Sequence, residues 1–230
     1  MKRIKFLVVV CVLFASTGAM AQDSTYISNE YTKAVATYQL AQKYNDQEAT
    51  KQALLDLMVL NGRDTTVMRS LAEFYYNNRR YTSSALVALD YLEKFPGNMI
   101  ATEIVALSYE QLRLYDKAIE FYQPMWLMTE NINILYQIAY LQYSLKRYTE
   151  SLNNLQIVDS KVKAEDKVQL NTSNGQVQEI PFKAAILNLR ALIAIGEGKN
   201  EDAKALFNQA LQLAPDFEAA KTGLEDLNKG

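Results

Sequence analysis

Leu114-Tyr115-Asp116-Lys117-Ala118-Ile119-Glu120-Phe121-Tyr122 reads as a corner followed by an apolar helical run. The chain writes this corner more than once. Arg80-Tyr81-Thr82 and Arg147-Tyr148-Thr149 repeat it, each ahead of another apolar run. Tyr81, Tyr115 and Tyr148 are 34 and 33 residues apart, and Ala72, Ala106 and Ala139 keep the same 34 and 33 spacing. Two residue types at one pitch define a structural repeat. A small residue lets the first helix of a pair approach its partner closely, and Ala118 and Ala203 do the same on second helices. Aromatics at Tyr75, Tyr109, Tyr122 and Phe207 fill the gaps between pairs. A pair cannot bury its apolar face alone, so neighbours must stack into one continuous core.

Outward from that stretch the pattern holds in both directions. Leu71-Ala72-x-x-Tyr75 leads to the corner at 77–81, then Ala85, Ala88, Leu89 and Leu92 run to Pro96-Gly97-Asn98. Val105-Ala106-x-x-Tyr109 leads to Tyr115, then Ala118, Ile119, Tyr122 and Met125. Ile138-Ala139, with Gln142 in the tyrosine place, leads to Tyr148, then Leu152, Leu155 and Val158. Ala191-x-x-Ala194 leads to Gly198-Lys199-Asn200, then Ala203, Phe207, Ala210 and Pro215. Upstream, 28–44 and 48–60 form a helix pair of the same size that fits the motif poorly, as terminal repeats do. Asp64 or Thr65 supplies the side-chain oxygen that caps the next helix. Residues 216–228 form an amphipathic helix expected to cover the end of the array. Pro124 lies inside a second helix and is expected to kink it or end it early.

Between Ala139 and Ala191 the spacing is 52 residues, too many for one repeat. The surplus is an insert at about 160–181. Val168-Gln169-Leu170 and Gln176-Val177-Gln178-Glu179-Ile180 alternate around Asn174-Gly175, which predicts a β-hairpin with an Asn-Gly turn. The alternative is a longer helix followed by a plain loop. Inserts in repeat arrays emerge on one face and often touch a partner.

Residues 1–21 read as a secretory signal. Lys2, Arg3 and Lys5 precede the apolar run from Phe6 to Phe14, and Ala19-Met20-Ala21 is a small-x-small cleavage site. The run falls short of the roughly 20 residues a membrane helix needs. Cys11 is a plain member of that run, without a lipobox around it. The expected mature chain, 22–230, is one domain without Cys or His, so it forms no disulfide and is held by packing. Losing three of the 24 basic residues against 26 acidic ones takes the net charge from −2 to −5. That argues against nucleic acid and anionic membranes as partners. The lack of His and Cys removes Ser-His-Asp and Cys-His catalysis and His/Cys metal sites, and no phosphate loop follows a strand. The expectation is a non-enzyme without a cofactor and without a membrane span after cleavage.

From Thr65 to Pro215 the chain resembles the tetratricopeptide-repeat family, an all-α solenoid of helix pairs: here about five pairs, a capping helix and a hairpin-like insert. Pro96 and Pro215 match the family's closing proline. No repeat has the family's Trp, Ala replaces its small Gly, and Arg190 stands where an apolar residue is expected. The signal, divergent repeats and insert also resemble periplasmic members from Gram-negative bacteria. The resemblance implies that the first helix of each pair lines a groove. By phase, the groove residues are Arg69, Glu73, Tyr76 and Asn77, then Glu103, Leu107 and Glu110, then Tyr136, Tyr140 and Tyr143. The three tyrosines form one helix stripe, which suits either a recognition surface or a packed core. Arg69 and Glu73 also suit a solvated i, i+4 pair. Some members grip a peptide's C-terminal carboxylate with a Lys/Asn clamp. Here Glu73 occupies a clamp Asn position, and Glu103 and Glu110 would repel a carboxylate, so a neutral or basic peptide fits better. Three functions follow: an adaptor holding a protein or peptide in the groove, a structural subunit of an envelope assembly docking by its convex face or ends, or a glycan-active enzyme using Glu73 and Glu110.

Overall fold

The computed structural model describes residues 26–172 and 174–229. The signal assigned to 1–21 lies outside them. Eleven helices and one two-stranded sheet are described. They are α1 (26–43), α2 (Gln47–Leu60), α3 (Thr65–Asn77), α4 (Tyr81–Lys94), α5 (Met99–Gln111), α6 (Tyr115–Thr129), α7 (Ile132–Ser144), α8 (Tyr148–Lys161), β1 (Lys167–Asn171), β2 (Val177–Pro181), α9 (Phe182–Gly196), α10 (Asn200–Leu213) and α11 (Glu218–Lys229). The helix pairs and the insert therefore fall where the repeat pitch predicts them. Contacts divide the chain into two compact units, one ending at Ile104 and one beginning at Val105.

The corners explain the pitch. Asn45, Arg79, Arg113, Lys146 and Gly198 all have positive φ, between 54° and 78°. Each amide bonds the carbonyl three residues back, and the next amide reaches five back. Arg113 N–H meets Glu110 O and Leu114 N–H meets Tyr109 O, both at 2.9 Å, and the same pair of bonds recurs at every corner. This is the Schellman end of a helix, which satisfies orphan carbonyls and turns the chain by a left-handed residue. Tyr81, Tyr115 and Tyr148 then open the next helix.

Small residues set the helix crossings. Ala72, Ala106, Ala139 and Ala191 have no exposed surface, and the facing positions twelve residues on are Ser84, Ala118, Ser151 and Ala203, equally buried. Ser84 Oγ donates to Ala72 O at 2.9 Å and Ser151 Oγ to Ala139 O at 2.7 Å. Pro124 does not end its helix: α6 runs on to Thr129 and stops at Glu130 in a left-handed cap.

In the first unit, Asp64 is the residue that caps α3, accepting from Thr66 and Val67 amides. Its other oxygen takes the Tyr31 hydroxyl at 2.6 Å, tying α1 to the cap. These bonds hold the Asp64 carboxyl below its ordinary range, the Tyr31 bond foremost. Ala34, Leu57 and Val67 form the core beside it.

In the second unit, α7 packs on α8, α9 on α10 and α10 on α11. The insert is a hairpin, with Val168 opposite Ile180 and Leu170 opposite Gln178. Those four share the inward face, while Lys167 and Glu179 pair at 2.9 Å on the outward one. The turn differs from a two-residue Asn-Gly turn. Gly175 N–H bonds Thr172 O, Thr172 N–H bonds Gln176 O, and Gly175 has a left-handed φ of 80°. Such a longer loop closed by a left-handed Gly is the next commonest hairpin connection. Ile180 and Phe182 are fully buried, so the strand runs straight into the α9 core. Arg190, the misfit of the last repeat, pairs with Asp159 of α8 at 3.2 Å. Among the described residues no helix is long and apolar enough to cross a membrane.

Candidate functional site

The second unit holds a cleft of about 620 Å³. Its helical walls are three first helices and the cap: the end of α5 at Glu110, α7 at Tyr136, Gln137 and Tyr140, α9 at Asn188, Leu189 and Leu192, and the capping α11 from Glu218 to Asp226. The hairpin closes the remaining side through Leu170 and Gln178. Gln178 also fixes the hairpin to α11. Its Nε2 donates to Asp216 O at 2.8 Å, and its Oε1 accepts from the Glu218 amide at 3.2 Å. A local repeat face thus becomes a walled cleft because a strand insert bonds a helix that follows it by some forty residues.

The polar groups in the cleft are unevenly satisfied. Glu110 accepts from the Tyr122 hydroxyl at 3.0 Å, yet burial dominates and pushes its carboxyl above the ordinary range, against the bonds from Tyr122 and Gln137. Tyr140 is raised by burial first, then by its neighbours Tyr115 and Glu110. Asn188 is only 6% exposed, and its Oδ1 has no hydrogen-bond partner. Buried polar atoms in folded proteins nearly always have a partner, so this acceptor is an exception that calls for a donor.

The structure distributes the groove residues read from sequence. Tyr136 is 7% exposed, stacks edge-on against Phe182 at 5.4 Å and bonds Ala185 O at 3.3 Å. It is the buried floor of the stripe. Tyr140 is 43% exposed and forms its accessible part. Tyr143 lies between Tyr140 and Tyr148, at 6.2 and 6.3 Å. The stripe is therefore core at Tyr136 and solvent-exposed at Tyr140. Arg69 and Glu73 form the half-exposed i, i+4 pair at 3.3 Å, Tyr76 packs edge-on against Tyr81 at 5.3 Å, and Asn77 is exposed. These four belong to the first unit and are not among the residues lining the cleft. Glu103 is exposed and Leu107 half-buried.

Sequence reasoning passed over Asn188, Gln137 and Gln178. Asn188 left a signal, since it interrupts Ile186-Leu187 and Leu189 in an otherwise strongly apolar helix. A polar residue at a core phase marks either a satisfied network or a site.

Pitch, corners and small-residue crossings build a tetratricopeptide-repeat solenoid fold. Residues 184–217, covering most of α9 and α10, match the family model for the tetratricopeptide repeat. A search of curated proteins finds no match. Among solved structures the chain is similar to YrrB, described as a TPR protein with an unusual peptide-binding site, at 13% identity over 91% of this chain and 97% of that one, with a TM-score of 0.64. It is also similar to MamA from Desulfovibrio magneticus RS-1 (10% identity, 82% and 97% covered, TM-score 0.62) and to PilF from Pseudomonas aeruginosa (14%, 98% and 96%, 0.54). At these identities the likeness is one of fold.

Proposed function

We propose that the protein is a non-enzymatic, exported adaptor, acting in the periplasm, that holds an extended segment of a partner protein in the cleft of its second unit. The observation that carries this is the unmet Asn188 Oδ1 in a cleft of ligand-binding size. Pockets of roughly 300–1,000 Å³ with a few placed polar groups on apolar walls are the usual form of a binding site. Export rests on the signal at 1–21. The peptide-binding description of YrrB supports the occupant's class. A second reading, a structural subunit docking by another face, draws support from Leu127 and Met128, which stand exposed on α6.

The test is photo-crosslinking in the native cell envelope, with the crosslinker at Tyr140 and, as control, at the exposed Gln156 of α8. A discrete partner band from Tyr140 and none from Gln156 is the expected result. A band from Gln156 alone, or bands only in the cytosolic fraction, would overturn the reading.

A further inference from the structure

The chemistry of the cleft narrows its occupant, given the reading above that the cleft is the binding site. The charged residues lining it are Glu110, Glu218 and Asp226, all acidic, and no Lys or Arg is among them. Asp226 already has Lys229 at 3.6 Å. Glu110 is half-buried, and no ion pair of the described residues includes it. Glu110 has hydrogen bonds from Tyr122 and Gln137 but no counter-charge, whereas Asn188 Oδ1 has no donor and is held out of water. Half-exposed Tyr140 lines the same cleft, and Leu189 and Leu192 supply apolar wall.

We propose that the cleft takes a cationic side chain, lysine or arginine, presented by the partner's extended segment. Its N–H groups donate to the Glu110 carboxylate and Asn188 Oδ1, giving the first a counter-charge and the second a donor. The Tyr140 face attracts the cation, and the alkyl stem lies along the leucines while the charged head meets the acceptors. The alternatives fail on the same groups. A carboxylate meets three acidic residues, and an apolar side chain leaves Asn188 Oδ1 unmet. The burial that raises the Glu110 pKa is also the desolvation a bound cation would offset.

The test is an NMR titration of the isotope-labelled, purified protein with four probes: Nα-acetyl-arginine amide, Nα-acetyl-lysine amide, Nα-acetyl-norleucine amide and Nα-acetyl-aspartate amide. Saturable shifts of the Asn188 side-chain amide and the Tyr140 backbone amide are expected with at least one cationic probe. Norleucine amide should bind at least about tenfold more weakly, a difference set by the charge. Aspartate amide should give no saturable shift. Glu110→Gln and Asn188→Leu should each weaken the cationic probe, and if Asn188→Leu does not fold, Glu110→Gln decides. Equal binding of norleucine amide, binding of aspartate amide, indifference to Glu110→Gln, or no saturable shift with any probe overturns the proposal. The two readings fail separately. A Tyr140 crosslink without cation binding keeps the adaptor and removes this inference. Cation binding without a crosslinked partner does the reverse.

Discussion

Ser151 Oγ donates a 2.7 Å hydrogen bond to the carbonyl oxygen of Ala139, twelve residues back and on the facing helix, with both residues fully buried. Ser84 and Ala72 do the same in the other unit. At the two remaining crossings the facing residue is Ala118 or Ala203, with no hydroxyl at all. Size is thus the shared requirement, and the bond is an addition. Ser151→Ala should cost only about 0.5–1.5 kcal/mol, the net worth of one buried hydrogen bond. Ser151→Leu should cost more, about 1–3 kcal/mol, because the helices must separate. Denaturant melts of the two variants check the order.

Arg113 closes α5 at φ 58° and is exposed. A left-handed conformation costs an L-residue about 1–2 kcal/mol, while glycine adopts it freely. Glycine also loses more chain entropy on folding, by about 0.5–1 kcal/mol. Arg113→Gly should therefore stabilise the protein by up to about 1.5 kcal/mol, the surplus of the first term over the second. A lower denaturation midpoint would show that the Arg113 side chain contributes more than its exposure implies.

A Cβ at Gly223 would stand 2.4 Å from Cζ of Phe207, whose ring is fully buried and cannot yield far. Gly223→Ala should destabilise by about 1–3 kcal/mol through overpacking and push α11 off α10. Because α11 is a wall of the cleft, the Asn188 side-chain NMR signals should shift in this variant. Thermal melts and the NMR spectrum together check both effects.

Much of this architecture was legible in the residues because the repeat writes it at one pitch. The alternating runs around Gly175 located the hairpin too. Other features had no such signal. Serine does not count in an apolar pattern, so Ser84 and Ser151 stayed hidden at the small-residue crossings where alanine elsewhere stands out. Arg79, Arg113 and Lys146 occupy left-handed corners that glycine would have announced, as Gly198 does. Pro124 reads as a break but is absorbed within α6. The cleft itself depends on Gln178 reaching Asp216 and Glu218 some forty positions away, which no local period encodes. Tyr136 and Tyr140 share a stripe in sequence and part in burial: Tyr136 stacks on Phe182 and bonds Ala185 O in the α9 core, and Tyr140 stands exposed.

Glu110 carries a carboxyl raised by burial, despite the hydrogen bonds from Tyr122 and Gln137. Its folded pKa lies above its unfolded one, so between the two values the folded state holds the proton more often. Stability must fall as pH rises through that window, beginning near the ordinary glutamate value of about 4.3, and the deficit remains at neutral pH. Glu110→Gln should raise the melting temperature at pH 7 and leave it nearly unchanged below about pH 4. A loss of stability at pH 7 would mean that the carboxylate is net favourable where it stands.

The most direct test of the cleft as the working surface is to fill it from its rim. Ala219 is exposed on α11 and lines the cleft without belonging to the core, so Ala219→Trp places an indole across the opening while leaving the packing intact. The measurement is the affinity of the partner identified through Tyr140 for the wild-type protein and for Ala219→Trp, with thermal melts to confirm the fold. The account predicts at least about tenfold weaker binding, about 1.4 kcal/mol, at an unchanged melting temperature. Unchanged affinity in a folded Ala219→Trp protein would contradict it and place recognition on another face.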